Sequence, residues 1–535
     1  YTEKLYATSN PTLLENSKKG KYTETRGEER QTYGDVMLNL SKTFKEKFSL
    51  DAHIGASIKD NRFDELSVYG PIAGAPNIFN VVNLDKSQKK TPKTGWHEQT
   101  QSFFYSLELG WKSQLFVTTT GRNDWASQLA NSPQKSFFYP SVGVSWLPSS
   151  TFNFPEKFNY LKIRASWASV ANPFPRELTI ATHPYDDTIS GWDDKSNYPI
   201  GQLYPERTKT WELGFDARFL HGFTLSASWY RADTYNQTFN PNLSASSGYS
   251  DIYIQTGHVR NTGVEASLGY DHQWKNWNWN SQFTFSWNKN KIIELCKEWY
   301  NPITEETITM NRLQISKLGR AKFILKEGGS MGDLYSTTDL RRDDKGNIEI
   351  DEGGNVVVED NLPDMKLGSV FPDYNLAWRN SVSWKNLNLG FLVTARIGGI
   401  VNSLTQANMD LFGVSEATAA ARDAGGALVN GRSLVNPETW YTAIASQGGI
   451  PQYYTYSATN VRLQELSLGY TIPRKWLHNI CSITVSFVGR NLWMMYCKAP
   501  FDPEAVASTN NFYQGMDYFM MPSTRNLGFN INIKF

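Results

Sequence analysis

The last ten residues constrain the chain more than any other stretch. From Asn526 onward, Leu527, Phe529, Ile531, Ile533 and Phe535 alternate with Gly528, Asn530, Asn532 and Lys534. A period of two puts every large apolar side chain on one face of a strand and every small or polar one on the other. A strand this apolar at an open sheet edge in water invites aggregation. Curling the sheet into a barrel removes the edge by pairing the last strand with the first.

The same alternation recurs along the whole chain. It runs through Val36 to Leu40, Phe48 to Ile58, Phe103 to Trp111, Leu115 to Thr120, Tyr139 to Trp146 and Leu161 to Trp167. It continues in Trp211 to Phe219, Phe223 to Trp229, Val264 to Tyr270, Trp277 to Trp287, Leu376 to Trp384, Leu387 to Ile397, Leu466 to Ile472 and Ile483 to Phe487. With the closing stretch this predicts about 15 strands. Residues 1–29 are polar and are expected to be a loop, as is the segment from Asn61 to Gly95.

What solvent these strands face follows from an apparent conflict in composition. The chain holds 18 Trp, 27 Tyr and 29 Phe, yet its mean hydropathy is polar at −0.48. An outer-membrane barrel reconciles the two, with an apolar band edged by aromatic girdles outside and polar lumen and loops. Trp146, Trp167, Trp229, Trp287, Trp378 and Trp384 are read as girdle residues. The best candidate for a membrane helix, Leu387 to Val401, is interrupted by Asn388 and Arg396 and falls short of the 18 or so apolar residues required. The balance of 53 basic and 52 acidic residues gives no reason to expect nucleic acid as a partner. Cys296, Cys481 and Cys497 form no C-x-x-C pair.

Short and long connections alternate, giving one end of tight turns and one of long loops, as in barrels with periplasmic turns and extracellular loops. Such barrels have even strand numbers with both ends in the periplasm. An odd count within this chain therefore leads to the expectation that residues 1–535 are the C-terminal portion of a larger barrel, with an N-terminal plug and the first strands outside it. A propeller, the competing all-β architecture, requires a fixed repeat of about 40–50 residues, and none is visible.

Several phrases resemble the SusC-like branch of the TonB-dependent outer-membrane transporters of Bacteroidetes. They are Thr120 to Asp124, Phe138 to Ser141 with Gly143 and Trp146, Leu161 to Trp167, Glu206 to Thr208 before Trp211 to Gly214, Asn261 to Glu265, Val461 to Tyr470, and Gly489 to Leu492. The resemblance implies a transmembrane antiparallel barrel of about 22 strands, a plug, a TonB-binding segment, and a SusD-like lipoprotein that lids the barrel from outside. It also implies uptake of nutrient oligomers, either oligosaccharides or oligopeptides. The partners it implies are TonB, the lipoprotein lid, outer-membrane lipid and the substrate, with a dimer of transporter–lid pairs as a further expectation. No cofactor is expected. Two rivals stand beside it: a TonB-dependent siderophore or cobalamin receptor, and an adhesin or structural barrel without transport.

No enzyme motif is present: there is no G-x-S-x-G, H-E-x-x-H, Walker A or Rossmann fingerprint, so catalysis is not expected. Candidate contacts with substrate or lid are the aromatic residues of the long loops. These are Trp192, Tyr198, Trp299, Tyr300, Trp440, Tyr441, Tyr453, Tyr454, Phe512 and Tyr513. A flat ring stacks on sugars or peptides at little entropic cost, and equally well packs a loop. The acidic stretch Asp343 to Asp351 offers Asp343, Asp344, Asn347 and Asp351 as calcium ligands, but Lys345 stands in a ligand place, and a solvated turn is the expected reading.

Overall fold

The computed structural model describes residues 1–535 except 8–17, 177, 179–184, 187–190, 193–202, 240–252, 256, 302–304 and 509–512. Sixteen strands form one antiparallel sheet whose neighbours follow chain order. They are β1 Thr2–Tyr6, β2 Gly20–Phe44, β3 Phe48–Pro71, β4 Lys93–Trp111, β5 Leu115–Ala126, β6 Phe137–Trp146, β7 Phe158–Asn172 and β8 Glu206–Phe219. The series continues with β9 Phe223–Tyr235, β10 His258–Trp274, β11 Trp277–Glu294, β12 Tyr374–Trp384, β13 Leu387–Ile397, β14 Asn460–Ile472, β15 Ser482–Cys497 and β16 Asn526–Lys534.

Register joins the apolar series into continuous rows. Leu225 pairs with Leu268, Leu268 with Phe283, Phe283 with Trp378 and Trp378 with Val393. Farther round, Leu389 meets Leu468, Leu468 meets Phe487 and Phe487 meets Phe529. These side chains stay exposed, Leu468 at 51% and Phe529 at 79%. No protein core covers them, so the face belongs against lipid. The six tryptophans expected in the girdles share this face: Trp146 opposes Ile163, Trp167 opposes Val142, Trp229 opposes Leu213, and Trp384 opposes Leu387. Trp378, however, opposite Phe283 at the middle of its strand, sits inside the apolar band and not at its edge. Trp287 and Trp378 lie on the same columns as Phe285 and Leu376. No helix among the described residues is long and apolar enough to cross a membrane.

The tight turns gather at one end. Lys45–Glu46, Lys112–Ser113 and Leu220–His221 each hold two consecutive positive φ angles, the twist that lets such hairpins close. The turn after β8 spans Leu220, His221 and Gly222, since Phe219 pairs with Phe223.

Two expectations are corrected here. Residues 1–29 are not a loop: β1 pairs with β2, which is 25 residues long and starts at Gly20. The segment after Asn61 is likewise strand up to Pro71, in a β3 of 24 residues. At about 3.3 Å per residue, each spans about 80 Å, against roughly 30 Å of hydrocarbon. The upper halves of these strands stand above the membrane, where neither face needs to be apolar, so the alternation that marks a strand is absent. The strand count rises accordingly from the expected fifteen to sixteen, β1 being the addition, so the odd count from which a larger barrel was expected does not hold. β1 and β16 occupy opposite ends of the sheet order, and β2 from residue 26 down has β3 as its one described neighbouring strand.

Candidate functional site

The inner face is built from the alternate residues of the same strands. Arg164 on β7, Glu265 on β10, Asn375 on β12, Arg396 on β13 and Gln464 on β14 line a recess of about 700 Å³ together with Glu504 from the loop after β15. Arg164 donates from Nη1 to Asp216 Oδ2 at 2.6 Å, and Asp216 also accepts from Ser226 Oγ at 2.7 Å. Arg396 reaches up, its Nη2 donating to the Val370 carbonyl at 2.7 Å. Cations and carboxylates therefore alternate with amides and hydroxyls around one concavity. Such a lining offers donors and acceptors to a polar chain without selecting for one sign of charge.

Long loops anchor on the inner wall, and Glu504 of the loop after β15 reaches the recess itself. Arg462 on β14 is 4% exposed. Its guanidinium makes a bidentate contact with Asp502, Nη1 to Oδ2 at 3.1 Å and Nη2 to Oδ1 at 2.9 Å, and Nη2 also meets Glu504 Oε2 at 3.2 Å. Burial raises the Asp502 carboxyl, but the hydrogen bonds from Arg462 and the Glu504 amide outweigh it and hold it below the usual range. Elsewhere on the wall, Ile292 exchanges backbone hydrogen bonds with Gly328 and Gly329 of the loop after β11.

The loops also bind one another. Ile400–Ser403 pairs antiparallel with Thr455–Ser457 and parallel with Met516–Asp517. Ser403 then caps helix α1, Leu404–Leu411, accepting from the Gln406 amide at 3.0 Å while its hydroxyl donates to Asp517 at 2.6 Å. Helix α2, Glu416–Asp423, starts at the cap Ser415, and helix α3, Pro437–Ala445, starts at Asn436 with proline in its first turn. α1 and α3 bury Ala407, Ile444 and Ala445 against Leu340, Val356 and Tyr454 in a core belonging to the loops alone.

The aromatic candidates divide within this arrangement. Tyr454 is 2% exposed and donates to Asp410 Oδ2 at 3.0 Å, so it is a core residue with no face for a ligand, contrary to its candidacy. Trp440 meets Tyr453 edge-on at 5.9 Å, and both pack with Tyr441 against the same core. Tyr300 is 55% exposed. Tyr513 is 37% exposed and touches the Phe323 ring edge-on at 6.3 Å. Trp192 and Trp299 lie on short paired segments, opposite Tyr185 and Ile308, and their side chains fall outside the described residues. Tyr198 and Phe512 lie outside them altogether.

The acidic stretch forms two successive turns rather than a converging ligand set. Asp343 Oδ1 accepts from the Lys345 and Asn347 amides at 2.9 and 2.8 Å, and its Oδ2 accepts from Asn347 Nδ2 at 2.9 Å. Asp351 repeats the pattern with Asn355, and Gly346 and Gly354 supply φ of +82° and +79°. The Asn347 side chain holds the Asp343 carboxyl below its ordinary value, and the Asn355 amide does the same for Asp351. The oxygens of Asp343 and Asp351 face into their own turns; Asp344 takes no part in these bonds. The sequence reading missed Arg164, Glu265, Arg396, Arg462, Asp502 and Glu504. Arg396 carried a signal: it falls out of phase with the apolar column of Leu389, Phe391, Val393, Ala395 and Ile397, which marks an inward position.

The profile of the family described as TonB dependent receptor-like, beta-barrel, matches residues 2–492. The chain belongs to that family. Its place is therefore the outer membrane, and its wall is that of a SusC-type TonB-dependent receptor. It is 26% identical over 577 residues to TonB-dependent receptor P3 of Formosa agariphila, covering 97% of this chain and 55% of that protein. TonB-dependent receptor SusC of Bacteroides thetaiotaomicron is 21% identical over 404 residues, 70% of this chain and 38% of SusC. The RagAB peptide importer in its closed-closed state superposes with a TM-score of 0.77 at 18% identity, over 96% of this chain and 57% of that one, a likeness of fold. The receptor chain spans about half the length of the curated relatives it matches.

Proposed function

We propose that this receptor wall serves TonB-dependent import of a nutrient oligomer, an oligosaccharide or oligopeptide, in company with a SusD-like surface lipoprotein. The observation that carries the reading is the inner recess, where Arg164, Glu265, Arg396, Gln464 and Glu504 present both charge signs and an amide. Sugar hydroxyls and peptide groups are alike in being donor and acceptor at once, and such a lining pairs both kinds of group. The role assigned to the wall is binding and guidance without catalysis. Coupling to TonB, a plug and the remaining strands belong, on this reading, to sequence beyond these 535 residues. The curated relatives support it in kind, since each bears the name TonB-dependent receptor.

The test is deletion of the full-length receptor in its own organism, followed by growth on single glycans, single peptide mixtures and iron-limited medium. Loss on one polymer class, restored by the intact gene but weakly by Arg396→Gln with Glu504→Gln, is the expected outcome. A defect confined to iron limitation replaces the oligomer with a chelate. Unchanged growth on every source leaves the adhesin reading standing instead.

A further inference from the structure

The outward columns of four neighbouring strands repeat one order of side chains. Read from the apolar band toward the long-loop end, β8 presents Leu213, Trp211, Lys209 and Arg207, and β9 presents Trp229, Arg231 and Asp233. β10 presents Val264, Thr262, Arg260 and His258, and β11 presents Trp287, Lys289 and Lys291. Register sets these columns side by side: Trp211 opposes Arg231, Asp233 opposes Arg260, Thr262 opposes Lys289, and Arg260 opposes Lys291. Arg207, Lys209, Arg231, Arg260, Lys289 and Lys291 thus share one patch, about 15–20 Å across from strand and residue spacings.

Within that patch the outward columns carry one carboxylate, Asp233, which is 7% exposed. Arg231 Nε contacts its Oδ2 at 2.8 Å, while Arg260 Nε and His258 Nε2 contact its Oδ1 at 2.7 and 2.6 Å. Asp233 therefore organises the cations without neutralising them. Glu294 marks the upper margin, opposite His258 where the register slips. Lys209, Lys289 and Lys291 remain exposed.

The inner columns of the same stretches are the opposite. Glu206 and Glu212 on β8 and Glu265 on β10 face inward, with Asn261, Asn288 and Asn290, and no cation is among them. A need for solubility above the membrane would place Lys and Arg on either face. Their restriction to the outer face, two residues above Trp211, Trp229 and Trp287, points to a partner at headgroup level outside the barrel. Tryptophan fixes that level, because its ring settles at the membrane–water interface.

We propose that the outward face of β8–β11 binds the phosphate-bearing headgroup of an outer-leaflet lipid. The apolar columns below lie along the acyl chains, and the three exposed lysines, of which Lys209 lies 5.4 Å from the Tyr235 ring centroid, surround the phosphate with Arg231 and Arg260. The proposal depends on the outer-membrane placement and not on what the receptor imports. Each cation near an anionic lipid surface strengthens attachment by about fivefold.

The experiment uses the full-length receptor purified in dodecyl maltoside and measures binding of fluorescent monophosphoryl lipid A and of its dephosphorylated form. Lys209→Gln, Lys289→Gln and Lys291→Gln are combined in one variant, which leaves the Asp233 cluster intact. The expected result is at least a tenfold loss of affinity for the phosphorylated lipid, none for the dephosphorylated one, and full retention when the same lysines become arginine. A matched variant at the tight-turn end, Lys45→Gln, Lys47→Gln and Lys112→Gln, retains full affinity. Equal binding of the two lipids, an unchanged triple variant, or an equal loss in the matched variant overturns the proposal. Displacement of the lipid by millimolar inorganic phosphate also overturns it, making the patch a free-anion site. If the triple variant does not give a heat-modifiable folded band, Lys291→Glu alone is read by the same criteria.

Discussion

Arg462 is the residue whose loss should separate the loops from the wall. Its side chain is 5% exposed and that of Asp502 is 8% exposed, so the pair is shielded from water. Replacing Arg462 by Met keeps most of the volume but leaves the Asp502 carboxylate buried with only the neutral Glu504 amide and Ser523 side chain as hydrogen-bond partners. Removing one member of a buried pair costs about 3–5 kcal/mol. Glu504 is 43% exposed and is rescued by water, which favours the lower end of that range. At 1.4 kcal/mol per tenfold, about 3 kcal/mol raises the open population of residues 498–525 roughly a hundredfold. Hydrogen exchange of the full-length receptor, read on peptides from that loop and on peptides from β14 and β15, measures this directly. The loop peptides should exchange roughly a hundredfold faster while the strand peptides hold. Arg462→Met with Asp502→Leu should recover most of the protection, because removing both partners leaves no orphan charge. Loop exchange within threefold of the parent, or no recovery in the double variant, would refute an ion-pair anchor.

Other expectations test separate parts of the structure. Phe283→Lys places a charge on the lipid face and should destabilise the barrel by about 2–4 kcal/mol, whereas Gln282→Lys, one residue away on the inner face, should cost far less. Urea unfolding in lipid vesicles compares them, and equal costs would mean that the outer face is wet. Tyr454→Phe removes the buried hydrogen bond to Asp410 and should cost the loop core about 1–3 kcal/mol, read as faster exchange in residues 437–454 with no change in the strands. The bidentate Arg312 contact, at 2.5 and 2.8 Å, and then Lys326 hold the Asp364 carboxyl well below the ordinary range. A depressed carboxyl contributes stability that is complete above its unfolded pKa and lost as pH falls through the folded one. Protection of residues 312–326 should therefore persist to about pH 4 and fail only in stronger acid; failure already between pH 7 and 5 would exclude this pair as the cause.

The parts legible in the sequence are those where lipid imposes a rule. Leu225, Leu268, Phe283, Trp378 and Val393 alternate with polar neighbours because one side of each strand meets hydrocarbon, and all fifteen expected strands are present at those residues. The rule lapses above the membrane. Thr23 to Tyr33 of β2 opposes Tyr69 to Lys59 of β3 with charged residues on both faces, and a strand of that composition reads as a loop. The loop aromatics were legible as residues but not as roles. Tyr454 and Tyr453 are neighbours, yet Tyr454 lies under α1 and Tyr453 packs beside Trp440, a difference set by contacts between segments more than 100 residues apart in places, such as Gln452 to Thr338.

The charged residues show why register matters more than composition in such a wall. Arg396 and Arg231 are both single cations in apolar strands, and being a lone cation does not by itself say that one faces a recess and the other faces the membrane surface. The pairing does: Arg396 opposes Asn375 and Asn460, whereas Arg231 opposes Trp211. A shift of one residue in either hairpin would exchange those environments, turning Arg231 away from the headgroups and Arg396 toward the lipid edge, where a cation costs about 0–1 kcal/mol, less than at the midplane. The positions of the cations therefore act on folding as well as on binding. They penalise the slipped register that the apolar residues alone, through neighbours as similar as Leu, Ile and Val, would resist less strongly.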